Sequence, residues 1–134
     1  VYYINFAILG AGEILSEHWN IYFYRKKTQN PIEDYLNSLS LEELAQAEKE
    51  IKLLARHGPF LLGRPHVRYL ENKLWELRIR GKNQHRILWF MFGEKNIFFL
   101  HAFSKKQNRI ERRHFEIAYQ RMKNVIFHFG GDSE

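Results

Sequence analysis

Arg78, Arg86, His101, Lys105 and Lys106 fall in three short runs of the second half of the chain, and their types suit chemistry on a phosphodiester. Cutting RNA requires no metal in principle, because the 2′-hydroxyl is itself a nucleophile. The reaction needs a base near that hydroxyl, cations on the dianionic phosphorane and a proton for the departing 5′-oxygen. Arg, Lys and His can supply all three. Metal-dependent patterns are missing: there is no HExxH, no grouped Asp/Glu set, and the seven histidines are scattered. No GxSxG elbow and no phosphate-cradling Gly-rich loop occurs either.

These residues sit on segments that read as strands. Alternation puts Glu76, Arg78 and Arg80 on one face and Trp75, Leu77 and Ile79 on the other. The same rule groups Arg86 with Leu88, Phe90 and Phe92, and aligns His101 with Ile97, Phe99 and Phe103. A cation among apolar neighbours costs roughly 2 to 5 kcal/mol if left unpaired. Two readings of Arg78 and Arg86 therefore stand side by side, an ion pair with Glu76 or Glu71 and a grip on a phosphate. Arg86 begins its strand, so it is expected at the rim of the sheet, forking onto two phosphate oxygens. His101 on its own reads first as a hydrogen-bonded core histidine, since neutral imidazole buries readily.

The elements that must position these groups follow from local signals. Asn20 to Tyr24 is an aromatic, β-branched run that suits a strand. Asn30 is placed as an N-cap, with Pro31 first in a short helix reaching about Leu39. Ser40 and Glu43 form a capping box, and Leu44, Ala47, Ile51, Leu54 and Ala55 recur at helical spacing until His57-Gly58-Pro59 stops them. Leu74–Arg80, His85–Phe92 and Ile97–Phe103 are strand-like runs separated by short turns, which predicts an antiparallel meander. Phe115, Ala118, Met122 and Val125 line one face of a last helix. The order strand, two helices, three strands, helix predicts an α+β domain with a small, mostly antiparallel four-stranded sheet.

With 134 residues and 45% apolar content, one core can be filled, and one domain is expected. Residues 1–19 read as an N-terminal extension, 20–127 as the domain and 128–134 as a tail. The absence of cysteine removes disulfides and thiolate metal sites. The longest apolar run, Ile87 to Phe92, is far too short to cross a bilayer, and no Lys or Arg precedes the apolar stretch Phe6 to Leu9 as in a secretory signal. A cytoplasmic protein with no membrane partner and no cofactor is expected. Charge is unevenly spread: residues 1–63 hold six Lys/Arg against eight Asp/Glu, whereas residues 64–123 hold fifteen against five. That is the footprint of a polyanion binder, with a solvated basic face as the bland alternative.

Leu61-Leu62-Gly63-Arg64-Pro65 is followed by Leu70-Glu71-Asn72-Lys73-Leu74-Trp75-Glu76-Leu77-Arg78, then by Arg86-Ile87-Leu88-Trp89-Phe90 and His101-Ala102-Phe103-Ser104-Lys105-Lys106. A helix carrying Glu116, Ala118 and Arg121 comes next. In this order and spacing, over about residues 20–124, the chain resembles the HigB-like, phage-related branch of the RelE/ParE toxin superfamily. The resemblance implies a RelE-like fold and a toxin held in check by a cognate antitoxin. Its activity would be that of an mRNA interferase, an endoribonuclease that inhibits translation, on the ribosome or free. Arg78 and Arg86 match the family's strand arginines and would hold the scissile phosphate. Lys105 and Lys106 match the basic pair at the strand-to-helix junction, where one would stabilise the transition state or move a proton. His101 joins them as a candidate, and Arg80, Lys82, Arg109 and Arg112 are the expected RNA contacts. Gln107-Asn108-Arg109-Ile110-Glu111 lacks the threonine and proline common at that place, and the last helix has no Tyr in its first turn. The assignment of base and acid stays open. A ParE-like inhibitor of DNA gyrase and an inactive RNA- or protein-binding module are the other readings that the same fold allows.

Overall fold

The computed structural model describes residues 2–5, 19–60, 66–106 and 108–130. The Leu61 to Pro65 motif, Gln107, most of the N-terminal extension and residues 131–134 lie outside them. In chain order the elements are β1 (Tyr2–Asn5), β2 (Asn20–Arg25), α1 (Pro31–Asn37), α2 (Leu41–His57), β3 (Val67–Glu71), β4 (Leu74–Ile79), β5 (His85–Met91), β6 (Asn96–Ser104) and α3 (Arg112–Gly130).

The architecture is α+β, but the sheet is larger and more mixed than expected. Five strands between residues 20 and 104 form it, and β1 adds an edge, in the order β1-β2-β6-β5-β4-β3. β2 runs parallel to β6, whereas every other neighbouring pair is antiparallel. The helices α1 and α2 carry the chain from β2 to the far edge of the sheet at β3, and the antiparallel run β3–β4–β5–β6 then brings β6 back beside β2 in the parallel sense. β3 escapes the alternation test because, as an edge strand, it is mostly half-buried or exposed and carries Arg68 and Glu71. The Asn72-Lys73 turn joins it to β4 with both residues at positive φ, 45° and 73°, the two-residue hairpin geometry that Asn tolerates best.

The helix ends follow local chemistry with one correction. Ser40 Oγ accepts from the Glu43 N–H at 3.1 Å and Glu43 Oε1 accepts from the Ser40 N–H at 3.4 Å, so the capping box of α2 is formed. Gly58 ends α2 at φ +62°, and a Cβ there would lie 2.3 Å from the Trp19 indole nitrogen, so only glycine fits. Asn30 does not cap α1 with its side chain; it accepts from Arg25 Nε instead.

Both faces of the sheet are covered. Ile32, Leu36, Ile51 and Leu54 of α1 and α2 pack on Leu77, Ile87, Trp89 and Phe99. Ala118, Met122 and Val125 of α3 pack on Leu88, Phe90, Phe98 and Leu100. Each fully buried Leu, Ile or Phe contributes about 1.5 to 3 kcal/mol of transfer free energy, which is what clamps three helices onto one sheet. A register shift beside Leu88 and Trp89 interrupts the β5–β6 ladder. Before it Trp89 faces Phe99; beyond it Leu88 faces His101. The irregularity moves His101 and Phe103 to the α3 side, away from Ile97 and Phe99, with which plain alternation had aligned them.

Candidate functional site

Glu76, fully buried on β4, is the centre of a charged cluster on the α3 side of the sheet. Its Oε1 lies 3.3 Å from Arg78 Nε and 3.5 Å from Arg68 Nε, and its Oε2 lies 3.2 Å from Arg86 Nε. The strands bring them together: Arg68 pairs with Glu76 across β3–β4, and Arg78 with Arg86 across β4–β5. Arg86 is not at the rim. Only 5% of it is exposed, and its second anchor is one guanidinium nitrogen given to the Gln84 side chain and the His85 carbonyl at 3.2 and 3.0 Å. The Arg86–Glu76 contact is an ion pair without hydrogen-bond alignment. Burial works against the charge on Arg86, Glu76 favours it, and Arg78 opposes it again.

Lys105 links this cluster to open space. Its backbone N–H bonds the Gln84 carbonyl at 2.8 Å, continuing the β5–β6 ladder past the end of β6. Burial lowers its pKa, Glu76 partly restores it, and Arg86, Arg68 and Arg78 lower it further. The ammonium is thus a better acid than that of an exposed lysine. Lys105, Lys106, Arg109 and Arg113 line a cleft of about 400 Å³ at the junction of β6 and α3, together with Tyr35, Ser104, Glu111 and His114.

His114, in the first turn of α3, is stacked on Phe103 with ring centroids 3.8 Å apart. Its Nδ1 lies 2.8 Å from His101 Nε2, and its Nε2 lies 3.6 Å from Glu111. Burial, then Arg121, His114 and Arg113, pull the His101 pKa down to about 3, so this ring stays neutral. Burial also lowers the His114 pKa, as does Arg113, against Glu111. A second chain of polar contacts reaches the cleft from α1. The Tyr35 hydroxyl is 2.5 Å from His85 Nδ1, and His85 Nε2 is 3.0 Å from Glu43 Oε2, which also accepts from Asn83 at 3.0 Å. The His85 and Asn83 hydrogen bonds hold the Glu43 carboxyl down at about 2. Burial, then the Glu43 charge, push Tyr35 up to about 12.

Of the residues singled out in the sequence, Lys105, Lys106 and Arg109 meet in the cleft. Arg78 and Arg86 stand behind Lys105 around Glu76, and His101 stands behind His114. Arg80 and Lys82 flank a different depression beside Glu42 and Glu43. Arg112 is committed to Glu71 at 2.9 Å and lies over the Phe115 ring. The residues not anticipated are Tyr35, Glu43, Arg68, His85, Arg113 and His114. Glu43 was legible only as a cap, and nothing in local spacing joins Tyr35 to a histidine fifty positions later. Among the described residues no three His, Cys, Asp or Glu side chains gather to hold a metal ion, and no helix is long and apolar enough to cross a membrane.

A family model described as "Phage derived protein Gp49-like (DUF891)" matches residues 34–123. That span includes every cleft residue named above. No curated protein matches the chain.

Proposed function

The chain belongs to the Gp49-like family of phage-derived proteins, and on that premise we propose that it is the toxin of a type II toxin–antitoxin pair, of the HigB-like branch. Its activity is that of a metal-independent endoribonuclease cutting mRNA on the ribosome, in the cytoplasm. The observation that carries this reading is the β6–α3 cleft, where Lys105, Lys106, Arg109 and Arg113 share one lining with Tyr35 and His114. The 2′-oxygen attacks phosphorus as the P–O5′ bond breaks, leaving a 2′,3′-cyclic phosphate and a 5′-hydroxyl. The four cations neutralise the phosphorane. Lys105, made a better acid by its burial, gives its proton to the departing 5′-oxygen. An acidic antitoxin segment covers the cleft until the toxin is released.

The test offers purified protein free RNA and mRNA-programmed ribosomes in excess EDTA. Discrete cuts ending in cyclic phosphate, absent from RNA with a single 2′-deoxy substitution at the cut, are expected. Activity lost in EDTA and restored by Mg²⁺ or Mn²⁺ overturns the metal-free mechanism. Intact RNA together with lost gyrase supercoiling overturns the nuclease reading in favour of a ParE-like one.

A further inference from the structure

The base that takes the 2′-hydroxyl proton is still unassigned, and it is needed only if the nuclease reading holds. His114 is a poor choice, since its Nδ1 is engaged by His101 and its Nε2 faces Glu111. Tyr35 differs. Because the Glu43 carboxylate takes the Nε2 proton of His85, the Nδ1 of that ring is the acceptor and the Tyr35 hydroxyl is the donor. Tyr35 Oη therefore gives its proton inward and keeps its lone pairs for a group in the cleft that Tyr35 lines. His85 is 5% exposed and cannot reach substrate itself. Its ring is held edge-on against Tyr35, with centroids 5.6 Å apart.

We propose that Tyr35 is the general base of this site, driven by a hydroxyl–imidazole–carboxylate relay through His85 to Glu43. As the 2′-O–P bond forms, the 2′-hydroxyl proton passes to Tyr35 Oη and the phenolic proton passes to His85 Nδ1. The resulting imidazolium is neutralised by Glu43, the role a carboxylate plays behind histidine in acyl-transfer triads. The 5′-oxygen leaves with the Lys105 proton, and the relay resets by passing its extra proton through water back to Lys105, so the site ends as it began. Tyr35 touches the reacting oxygen; His85 and Glu43 are positioning residues. The Ser40 N–H of the capping box also donates to Glu43 Oε1, so the carboxylate is oriented before substrate arrives. The phenol stays protonated at neutral pH, which is what a concerted relay requires.

The experiment compares single-turnover cleavage of an ordinary phosphodiester with that of a 5′-phosphorothiolate, whose thiolate leaves without needing a proton. Tyr35→Phe keeps the ring and removes only the hydroxyl. It is expected to slow both substrates by roughly a hundredfold or more, the scale of one lost proton transfer, with RNA affinity and thermal unfolding unchanged. Lys105→Met should slow the oxygen substrate and be largely restored on the sulfur one. Glu43→Gln should slow both substrates less than Tyr35→Phe. Wild-type rates for Tyr35→Phe on both substrates overturn the relay while leaving the nuclease reading intact. Restoration of Tyr35→Phe by the sulfur substrate overturns the role as base, making Tyr35 the acid. Should Tyr35→Phe unfold early, ¹⁵N spectra of the wild type decide: His85 must be protonated on Nε2 and bare on Nδ1, and the reverse tautomer sinks the proposal. Wild-type protein that cuts neither substrate removes the nuclease reading, and the relay with it.

Discussion

Arg86 is the residue whose position matters most to how the site is understood. A guanidinium at the rim would bind phosphate and contribute little to stability. The one found is buried against Glu76, Gln84 and the His85 carbonyl, so its influence reaches the cleft through the field at Lys105. Removing one member of a buried pair strands the other charge, at a cost of about 3 kcal/mol, the low end of the usual range, because Arg78 and Arg68 remain beside Glu76. We expect Arg86→Met to cost that much in urea unfolding, and the double change with Glu76→Leu to cost less than the two single changes combined. Arg86→Met as stable as wild type would mean that the pair holds nothing together.

At the scale of elements, the docking of α3 on β6 sets the ionisation of His101. The helix covers a ring that the irregular β5–β6 ladder turns toward it, and burial holds its pKa at about 3 in the folded protein against an ordinary value near 6.5. Above pH 6.5 both folded and unfolded states hold it neutral. As pH falls below 6.5 the unfolded chain takes a proton that the folded one refuses, so stability declines toward pH 3. For one group the slope is at most about 1.4 kcal/mol per pH unit. Thermal unfolding followed from pH 7 to pH 4 should therefore be flatter for His101→Gln than for the wild type. Parallel curves would mean that the ring protonates in place. The same packing brings His114 against Phe103, so α3 carries its own cleft residue and holds it by stacking.

Over the whole molecule, charge and proton transfer come from different parts of the chain. The cleft cations belong to the basic stretch after residue 64, whereas Tyr35 and Glu43 belong to the slightly acidic part before it. If four cations meet phosphates, the logarithm of RNA affinity should fall with the logarithm of salt at a slope of about −3, taking roughly 0.7 per contact for a single strand. Lys106→Ala should lower the slope by about 0.7 by the same rule. Arg112→Ala should leave it unchanged, because Arg112 is spent on Glu71. Anisotropy titrations at several salt concentrations measure this directly, and a slope near zero would remove phosphate contact from the cleft.

Local signals were enough for much of the frame. The ends of α2 were legible in Ser40, Glu43 and Gly58, the β4–β5–β6 meander in its turns, and the Lys105-Lys106 junction in its basic pair following an apolar strand. Each depends on neighbours a few residues apart, where steric and hydrogen-bonding preferences act without help from the rest of the fold. Only the tertiary structure decided that His101 faces α3, that Arg86 is buried on Glu76, and that Tyr35, His85 and Glu43 form one chain. A register shift is a property of two strands together, and a contact across fifty residues is set by how the helices pack on the sheet. Periodicity along one segment specifies which side chains share a face, but it says nothing about what the opposite face brings to meet them.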